Sequence, residues 1–302
     1  MALLPSPGGR EGDGRGAGGE GLRLAFFAVL FFAAALPCPA AEFGFDVAVE
    51  HVSATFTEQR TFDARSVTLG LDLASHDSLL LRLEVPAIRA RASQPLYMLL
   101  GPTPRVLNAL AHGNRNLRRQ VPGSWESGLG DVRLRVLREL GGGGARLFRV
   151  AAEVDVKAPT GDARQGLGSG EWDARLGLLA ERRFWSATLF GGAGWNRLGD
   201  PDGPEMPELR DVPDGLLGVE SEPWHGLTGA LWVEGHGEVL AGSGRRSAVG
   251  LGLRSSGRTP WRFSATYGLS GAREELGFLL GVSLAGLADE NWGRLPRRDR
   301  RE

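Results

Sequence analysis

The sequence predicts an all-β chain that folds as an antiparallel up-and-down transmembrane β-barrel of about twelve strands, with one long, partly helical loop. Three observations favour this fold class. Apolar and polar residues alternate over segments of about ten residues, and long connections recur at alternate positions between the segments. Glycine accounts for 46 of the 302 residues, without the three-residue period of collagen. Glycine scattered through alternating segments is typical of a strongly curved sheet.

The alternating segments define the predicted strands. Few stretches hold apolar residues at helical three-and-four spacing, which argues against a helical fold. We place the strand starts near Phe43, Thr61, Ser78, Gly128, Arg146, Glu171, Trp185, Asp214, Thr228, Arg246, Trp261 and Glu274.

Residues 145–157 show the clearest alternation, with an apolar face opposite a charged one. Residues 131–136 and 172–181 repeat this pattern. A soluble β-sandwich would turn the apolar face inward, whereas a membrane barrel turns it toward lipid. Segments longer than the usual five or six residues favour the barrel. The candidate lumen-facing residues of these three segments are therefore Arg133, Arg135, Glu153, Asp155, Lys157, Asp173 and Arg175.

The long connections all fall at odd positions along the chain, although the odd connections near Glu58, Ser243 and Gly271 are short. Tight connections are predicted at 74–77, 141–144, 182–183, 221–226 and 256–259, and long ones at 93–127, 159–170 and 199–213. Outer-membrane barrels have short turns on the periplasmic side and long loops outside. Within the longest connection, residues 103–112 show weak helical spacing, and we expect this loop to fold over or into the barrel mouth.

The N-terminus carries the pattern of an export signal. Arg10, Arg15 and Arg23 precede an apolar run over residues 24–36, and small residues follow up to Ala40. The run is shorter than the roughly 20 residues of a membrane-spanning helix, the alternative interpretation. We therefore predict a signal peptide with a Gly-rich leader at 1–40, a barrel at 41–288 and a disordered charged tail at 289–302. Cleavage would remove Cys38, the single cysteine, so no disulfide is expected.

Tryptophans fall near the predicted strand ends. They could form the aromatic girdles of a membrane barrel or pack across strands, and the sequence favours neither. The residues concerned are Trp172, Trp185, Trp195, Trp224, Trp232 and Trp261.

Four short motifs occur in a particular order and spacing. They are Gly128-Leu129-Gly130-Asp131, Lys157-Ala158-Pro159-Thr160-Gly161-Asp162, Gly168-Ser169-Gly170-Glu171-Trp172-Asp173 and Leu198-Gly199-Asp200. Their order resembles the outer-membrane barrel family named for the MetA pathway of phenol degradation, and a related uncharacterised outer-membrane barrel family. The resemblance implies a barrel in the outer membrane that passes small hydrophobic or aromatic molecules, and it implies no catalytic residues. The residues themselves match the requirements of turns.

Two polar rows invite a chemical interpretation. Glu234, His236 and Glu238 share one strand face and could bind a divalent metal, although a solvated lumen wall is the favoured interpretation. His51 and Ser53 share a face with the His-x-Ser spacing of some outer-membrane acyl hydrolases. A serine nucleophile needs a base and an orienting group, and the sequence supplies no obvious third residue. We therefore expect no metal, no cofactor and no catalytic residue.

These observations predict a non-enzymatic, monomeric barrel exported to the outer membrane of a Gram-negative bacterium. The predicted function is a passive channel or transporter for small molecules, hydrophobic or aromatic ones included. The alternatives are an outer-membrane acyl hydrolase and a structural barrel with a plugged lumen. The expected partners are membrane lipid, an unidentified solute and the outer-membrane assembly machinery. The net charge of −1 gives no reason to expect a nucleic-acid partner.

Overall fold

The structure is a computed structural model. It describes residues 41–57, 60–75, 79–92, 96–100, 116–120, 125–141, 148–162, 167–168, 170–199, 210–239, 245–256, 259–270 and 274–285. Within these ranges, no helix is long and apolar enough to cross a membrane. The predicted signal peptide, the charged tail and the predicted helical segment at 103–112 lie outside the described residues.

Strands account for most of the described chain. Their bounds are β1 (Ala41–Thr57), β2 (Arg60–Ser75), β3 (Leu79–Ala92), β4 (Leu96–Leu100), β5 (Asn116–Gln120), β6 (Glu126–Leu129), β7 (Val132–Gly141), β8 (Phe148–Ala158), β9 (Asp173–Phe184), β10 (Ala187–Arg197), β11 (Val212–Ser221), β12 (Leu227–His236), β13 (Arg246–Ser255), β14 (Trp261–Ser270) and β15 (Glu274–Ala285).

Twelve long strands of the described chain, β1–β3 and β7–β15, form one closed antiparallel barrel. Each pairs with its neighbour in chain order, and β15 returns to pair with β1, from Phe45 opposite Ala285 to Thr55 opposite Glu274. The short strand β6 continues the line of β7 along β3. Strands β4 and β5 pair only with each other. Closure leaves the barrel no unpaired edge, as a sheet within lipid requires.

The predicted strand starts agree well with the structure. Eleven of the twelve lie within two residues of the start of a long barrel strand; the exception, Gly128, lies inside the short strand β6, four residues before the start of β7. One predicted turn is wrong, because Arg182 and Arg183 belong to β9 and the tight turn is formed by Trp185 and Ser186. The sequence did not show where β9 ends, because the aromatic residues Phe184 and Trp185 resemble the start of a strand. The pairing of β4 with β5 inside the longest connection was not predicted.

The barrel has the polarity of a membrane protein. Outward-facing leucines in the strands are 49–64% exposed, among them Leu176, Leu217, Leu231, Leu251 and Leu280. The alternate residues of the same strands face inward, and many of them are buried Asp, Glu and Arg. A soluble β-sandwich would show the reverse arrangement. The apolar residues therefore lie on the outer face of the barrel, as predicted.

The tryptophans divide between the two interpretations. Trp185, Trp195, Trp224 and Trp261 are exposed and lie at or near strand ends, as in an interfacial girdle. Trp172 instead packs on neighbouring strands against an apolar cluster of Leu134, Val156 and Ala158. Trp232 does not lie near a strand end, because it occupies the middle of β12 and is only 1% exposed.

A charge placed on the outer face should be costly in proportion to its depth in the membrane. Leu217 lies mid-strand in β11 and Leu227 begins β12, and both are outward-facing leucines. We expect Leu217→Arg to lower the free energy of unfolding by about 2–4 kcal/mol and Leu227→Arg by about 0–1 kcal/mol. Reversible guanidinium unfolding in lipid vesicles, followed by tryptophan fluorescence, measures both. Equal costs would contradict a lipid-facing β11.

Candidate functional site

The candidate site is the barrel interior, where the predicted lumen residues of β7, β8 and β9 lie together. Strand alternation turns all of them inward, opposite the outward apolar residues. Each is 7% or less exposed: Arg133, Arg135, Glu153, Asp155, Lys157, Asp173 and Arg175. That they line a solute path stays a prediction.

These side chains form ion pairs across neighbouring strands. Arg133 Nη2 donates to Asp155 Oδ2 at 2.8 Å, and Arg135 Nε lies 3.3 Å from Glu153 Oε1. Lys157 Nζ bridges Asp131 at 3.1 Å and Asp173 at 2.7 Å. Buried charges of this kind are tolerated only when they are paired, because desolvation penalises an isolated ion by several kcal/mol.

Arg175 links this group to the next part of the barrel. Its Nε and Nη2 both donate to Asp214 of β11 at 2.7 Å, and its Nη1 donates to Glu153 of β8. Asn196 of β10 donates to the same Asp214 at 2.6 Å. A Cβ on Gly194 would lie within 2.5–2.8 Å of the Arg175 guanidinium, so glycine is needed there for this close approach.

A second ionic group was missed by the sequence analysis. Arg82 of β3 donates to Glu84 and Asp72 at 2.8 Å and to Asp46 of β1 at 2.7 Å. Arg262 of β14 donates to the other oxygen of Asp46 at 3.0 Å. Alternation within β1, β2 and β3 was the available signal, but no sequence pattern pairs Asp46 with Arg262.

The two groups meet between β3 and β7. Arg82 lies opposite Arg135, and Glu84 lies opposite Arg133, in the register of these two strands. Charged or amide side chains from β14, β1, β2, β3 and β7–β11 therefore form one band inside the barrel. We call this band the ionic band. Its mixed charges cross-link the wall rather than presenting a ring of one sign.

A different interior surface is formed by β10, β11 and β12. Phe190 and Trp232 form a buried cluster, with Leu216 and Ala230 packed against it. We call it the aromatic cluster. A Cβ on Gly250 would lie 2.5 Å from Trp232 Nε1, so only glycine lets the indole lie flat against the neighbouring strand.

The possible metal row of Glu234, His236 and Glu238 is not a continuous strand face. Strand β12 ends at His236, whose Nδ1 lies 2.7 Å from the carbonyl oxygen of Gly237. Glu238 lies beyond the strand and accepts from Arg210 at 3.2 Å. Among the described residues, no three His, Cys, Asp or Glu side chains are grouped to hold a metal ion.

The described residues of the four motifs come together at the end of the barrel that carries the longest connections, here called the long-loop end. The Thr160 hydroxyl accepts from Val132 N at 2.9 Å and donates to Gly130 O at 3.0 Å. Asp131 and Asp173 accept from Gly161 N and Gly199 N, each at 2.9 Å. These bonds hold successive connections to one another, so the motifs have a structural role.

His51 and Ser53 lie outside the barrel, on the lipid-facing side of β1. Ser53 lies opposite Asp63 of β2, and His51 Nδ1 is 4.0 Å from Asp63 Oδ1. Asp63 is therefore the acidic residue that lies near both His51 and Ser53, and the sequence pattern did not identify it. The distance is too long for a hydrogen bond.

This architecture occurs in solved structures, among them the following two. An outer membrane channel from Pseudomonas putida F1 aligns with a TM-score of 0.57 and 15% identity, covering 82% of this chain and 96% of that one. The NanC porin aligns with a TM-score of 0.50 and 10% identity, covering 80% and 99%. No family model matches the chain, and no curated protein matches it in sequence. At these identities the likeness shows the fold: a closed barrel of the outer-membrane type.

The buried ion pairs should matter far more to stability than surface pairs do. Asp214→Ala leaves Arg175 with one buried acidic partner fewer, and we expect it to lower the free energy of unfolding by about 3 kcal/mol or more. The control is Glu222→Ala, which removes the acidic partner of Arg183. The two side chains are 34% and 50% exposed, respectively, so the loss should lower the free energy of unfolding by less than about 1 kcal/mol. Unfolding in vesicles measures both variants. A cost for Asp214→Ala as small as that for Glu222→Ala would contradict a structural ionic band.

Proposed function

We propose that the protein is an exported outer-membrane channel that passes small solutes passively, without chemistry of its own. The observation that carries this proposal is the distribution of polar residues, which is the reverse of that in a soluble protein. Exposed leucines cover the outside of the closed barrel, and Asp, Glu and Arg side chains are buried inside it. In the outer membrane, the long-loop end faces outward and both ends of the barrel sequence face the periplasm. Because β15 closes on β1, the twelve barrel strands present no free edge to a second copy, which supports a monomer.

We further propose that the preferred solutes are small hydrophobic or aromatic molecules. The ionic band carries both signs, which favours bracing of the wall over selection of ions. The aromatic cluster places two buried apolar side chains, Phe190 and Trp232, on the inner side of β10 and β12. The resemblance of the four motifs to the family named for the MetA pathway of phenol degradation supports the same solute class. The structural likeness to an outer membrane channel supports a channel and does not bear on the solute class.

A second candidate function, lipid acyl hydrolysis, is favoured by one observation. Asp63 lies beside His51 and opposite Ser53, and all three residues are on the lipid-facing surface. A carboxylate that orients a histidine, which in turn activates a serine, is the arrangement of acyl hydrolases. The 4.0 Å separation of His51 and Asp63 would have to shorten when lipid binds.

Solute passage can be measured by swelling of liposomes that contain the purified barrel. We expect benzoate-sized aromatic acids to enter faster than sugars of similar mass. Trp232→Ala should lower the ratio of the two rates, because it removes the largest side chain of the aromatic cluster, whereas Trp195→Ala on the outer face should leave the ratio unchanged. Swelling no faster than that of empty liposomes, for every solute, would establish the plugged structural barrel instead.

Hydrolysis can be tested separately on phospholipid vesicles with labelled acyl chains. We expect the wild-type protein to release no fatty acid. A release that falls by about 100-fold or more in His51→Ala, but not in Ser127→Ala on the same surface, would replace the channel proposal with the hydrolase.

A further inference from the structure

A basic surface lies on the outside of the barrel, at the long-loop end of β1, β2 and β3. Arg65 is opposite His51 on one side and opposite Arg89 on the other, and Arg89 is opposite Ser127 of β6. Arg91 lies two residues further along β3, on the same face. We call Arg65, Arg89 and Arg91, with Trp125 between them, the arginine patch.

The patch begins where the apolar outer face ends. The neighbouring row toward the middle of the barrel consists of Val49, Val67, Ala87 and Leu129. Counted from the other end of the barrel, His51 is the eleventh residue of β1, from Ala41. Arg65 is likewise the eleventh residue back from Ser75 in β2, and Arg89 the eleventh from Leu79 in β3. A strand crosses the hydrocarbon in about 9–11 residues, so this row reaches the level of the lipid headgroups.

The charges of the patch are poorly balanced by the carboxylates of the described residues. Directly opposed like charges, such as Arg65 and Arg89, destabilise a sheet. Asp63 Oδ1 lies 3.9 Å from Arg65 Nε. Within the part of the chain that the structure describes, Arg89 and Arg91 form no ion pair with a carboxylate. By contrast, the exposed Arg183 and Arg210 are each paired with a glutamate.

Trp125 holds the three arginines together. The guanidinium carbons of Arg65, Arg89 and Arg91 lie 5.6, 5.1 and 4.7 Å from the centre of its ring. These cation–π contacts orient three planar donors around one point and offset part of their repulsion. Guanidinium groups grouped in this way suit phosphate oxygens, which accept paired hydrogen bonds from them.

We propose that the arginine patch binds the phosphate groups of the glycolipid that forms the outer leaflet of the outer membrane. The row of Val49, Val67, Ala87 and Leu129 contacts the acyl chains, and the patch contacts the phosphorylated headgroup directly above them. The phosphates supply negative charge beside Arg89 and Arg91, which form no ion pair with a carboxylate among the described residues. This proposal rests on the proposed membrane location, with the long-loop end outward.

Lipid binding can be measured by native mass spectrometry of the full-length barrel, delipidated in detergent and titrated with bisphosphorylated lipid A. We expect R89Q/R91Q to weaken binding by about 30-fold, the effect of two arginines near an anionic surface. The matched control is R138Q/R182Q, which removes two exposed arginines near the opposite end of the barrel. It should change affinity by no more than about twofold. Fully dephosphorylated lipid A should bind the wild type about as weakly as lipid A binds R89Q/R91Q.

Three results would overturn the proposal: unchanged affinity in R89Q/R91Q, an equal loss in R138Q/R182Q, or equal binding of phosphorylated and dephosphorylated lipid A by the wild type. Heat-modifiable gel mobility shows whether each variant is folded. R89K/R91K retains the charge and should recover most of the affinity even if the glutamines disturb folding. If the wild type does not bind lipid A but swells liposomes, the patch proposal fails and the channel proposal stands. If it binds lipid A but does not swell liposomes, the channel proposal fails and the patch proposal stands.

Discussion

Backbone hydrogen bonding is the constraint on which the rest of this structure depends. A sheet in hydrocarbon has no water to satisfy unpaired N–H and C=O groups, so it must close on itself. Here β15 returns to β1 over eleven opposed residue pairs, from Phe45 and Ala285 to Thr55 and Glu274. Closure gives every long strand one inner and one outer face. The alternation of the sequence then decides which side chains meet lipid and which are enclosed.

Enclosing charged residues creates a second constraint, because each must find a partner inside the barrel. Arg82 has three carboxylate partners, and one of these, Asp46, also binds Arg262 from β14. Such pairs are weak evidence for stability compared with apolar packing. They are strong determinants of register, however, since a slip of one residue would turn Arg82 toward lipid and Leu83 inward. The ionic band therefore selects one alignment of the strands among several of similar apolar area.

Most of the fold was predictable because alternation is a local signal. It located eleven strand starts and the inward side of Arg133, Glu153 and Arg175. The pairing partners were not predictable in the same way. Asp46 and Arg262 are 216 residues apart and meet only because the barrel closes. Trp232 was also misplaced, since its position depends on Gly250 of the next strand, which leaves space for the indole. Composition predicted many glycines without showing which side chain each would accommodate.

The strands are unequal in length, and this inequality relates the arginine patch to the proposed passage. β1, β2 and β3 have 17, 16 and 14 residues, whereas β7–β15 have 10 to 12. Toward the long-loop end, β3 continues past the start of β7 and pairs with β6, so the wall extends further on this side. Outside, this extension carries the arginine patch. Inside, it is packed with Val52, Ala54, Ala64, Ile88 and Ala90, covered by Leu167.

This packing has a consequence for solute entry. The interior of the side formed by β1, β2 and β3 is filled with apolar side chains near the long-loop end, so we expect the proposed solute path to begin on the opposite side. That side is formed by β10, β11 and β12, where the aromatic cluster lies. The side formed by β1, β2 and β3 would then anchor the barrel in its leaflet, while the side formed by β10, β11 and β12 would admit the solute. Each strand can contact lipid with its outer face while its inner face lines the interior, because alternation assigns the two faces independently.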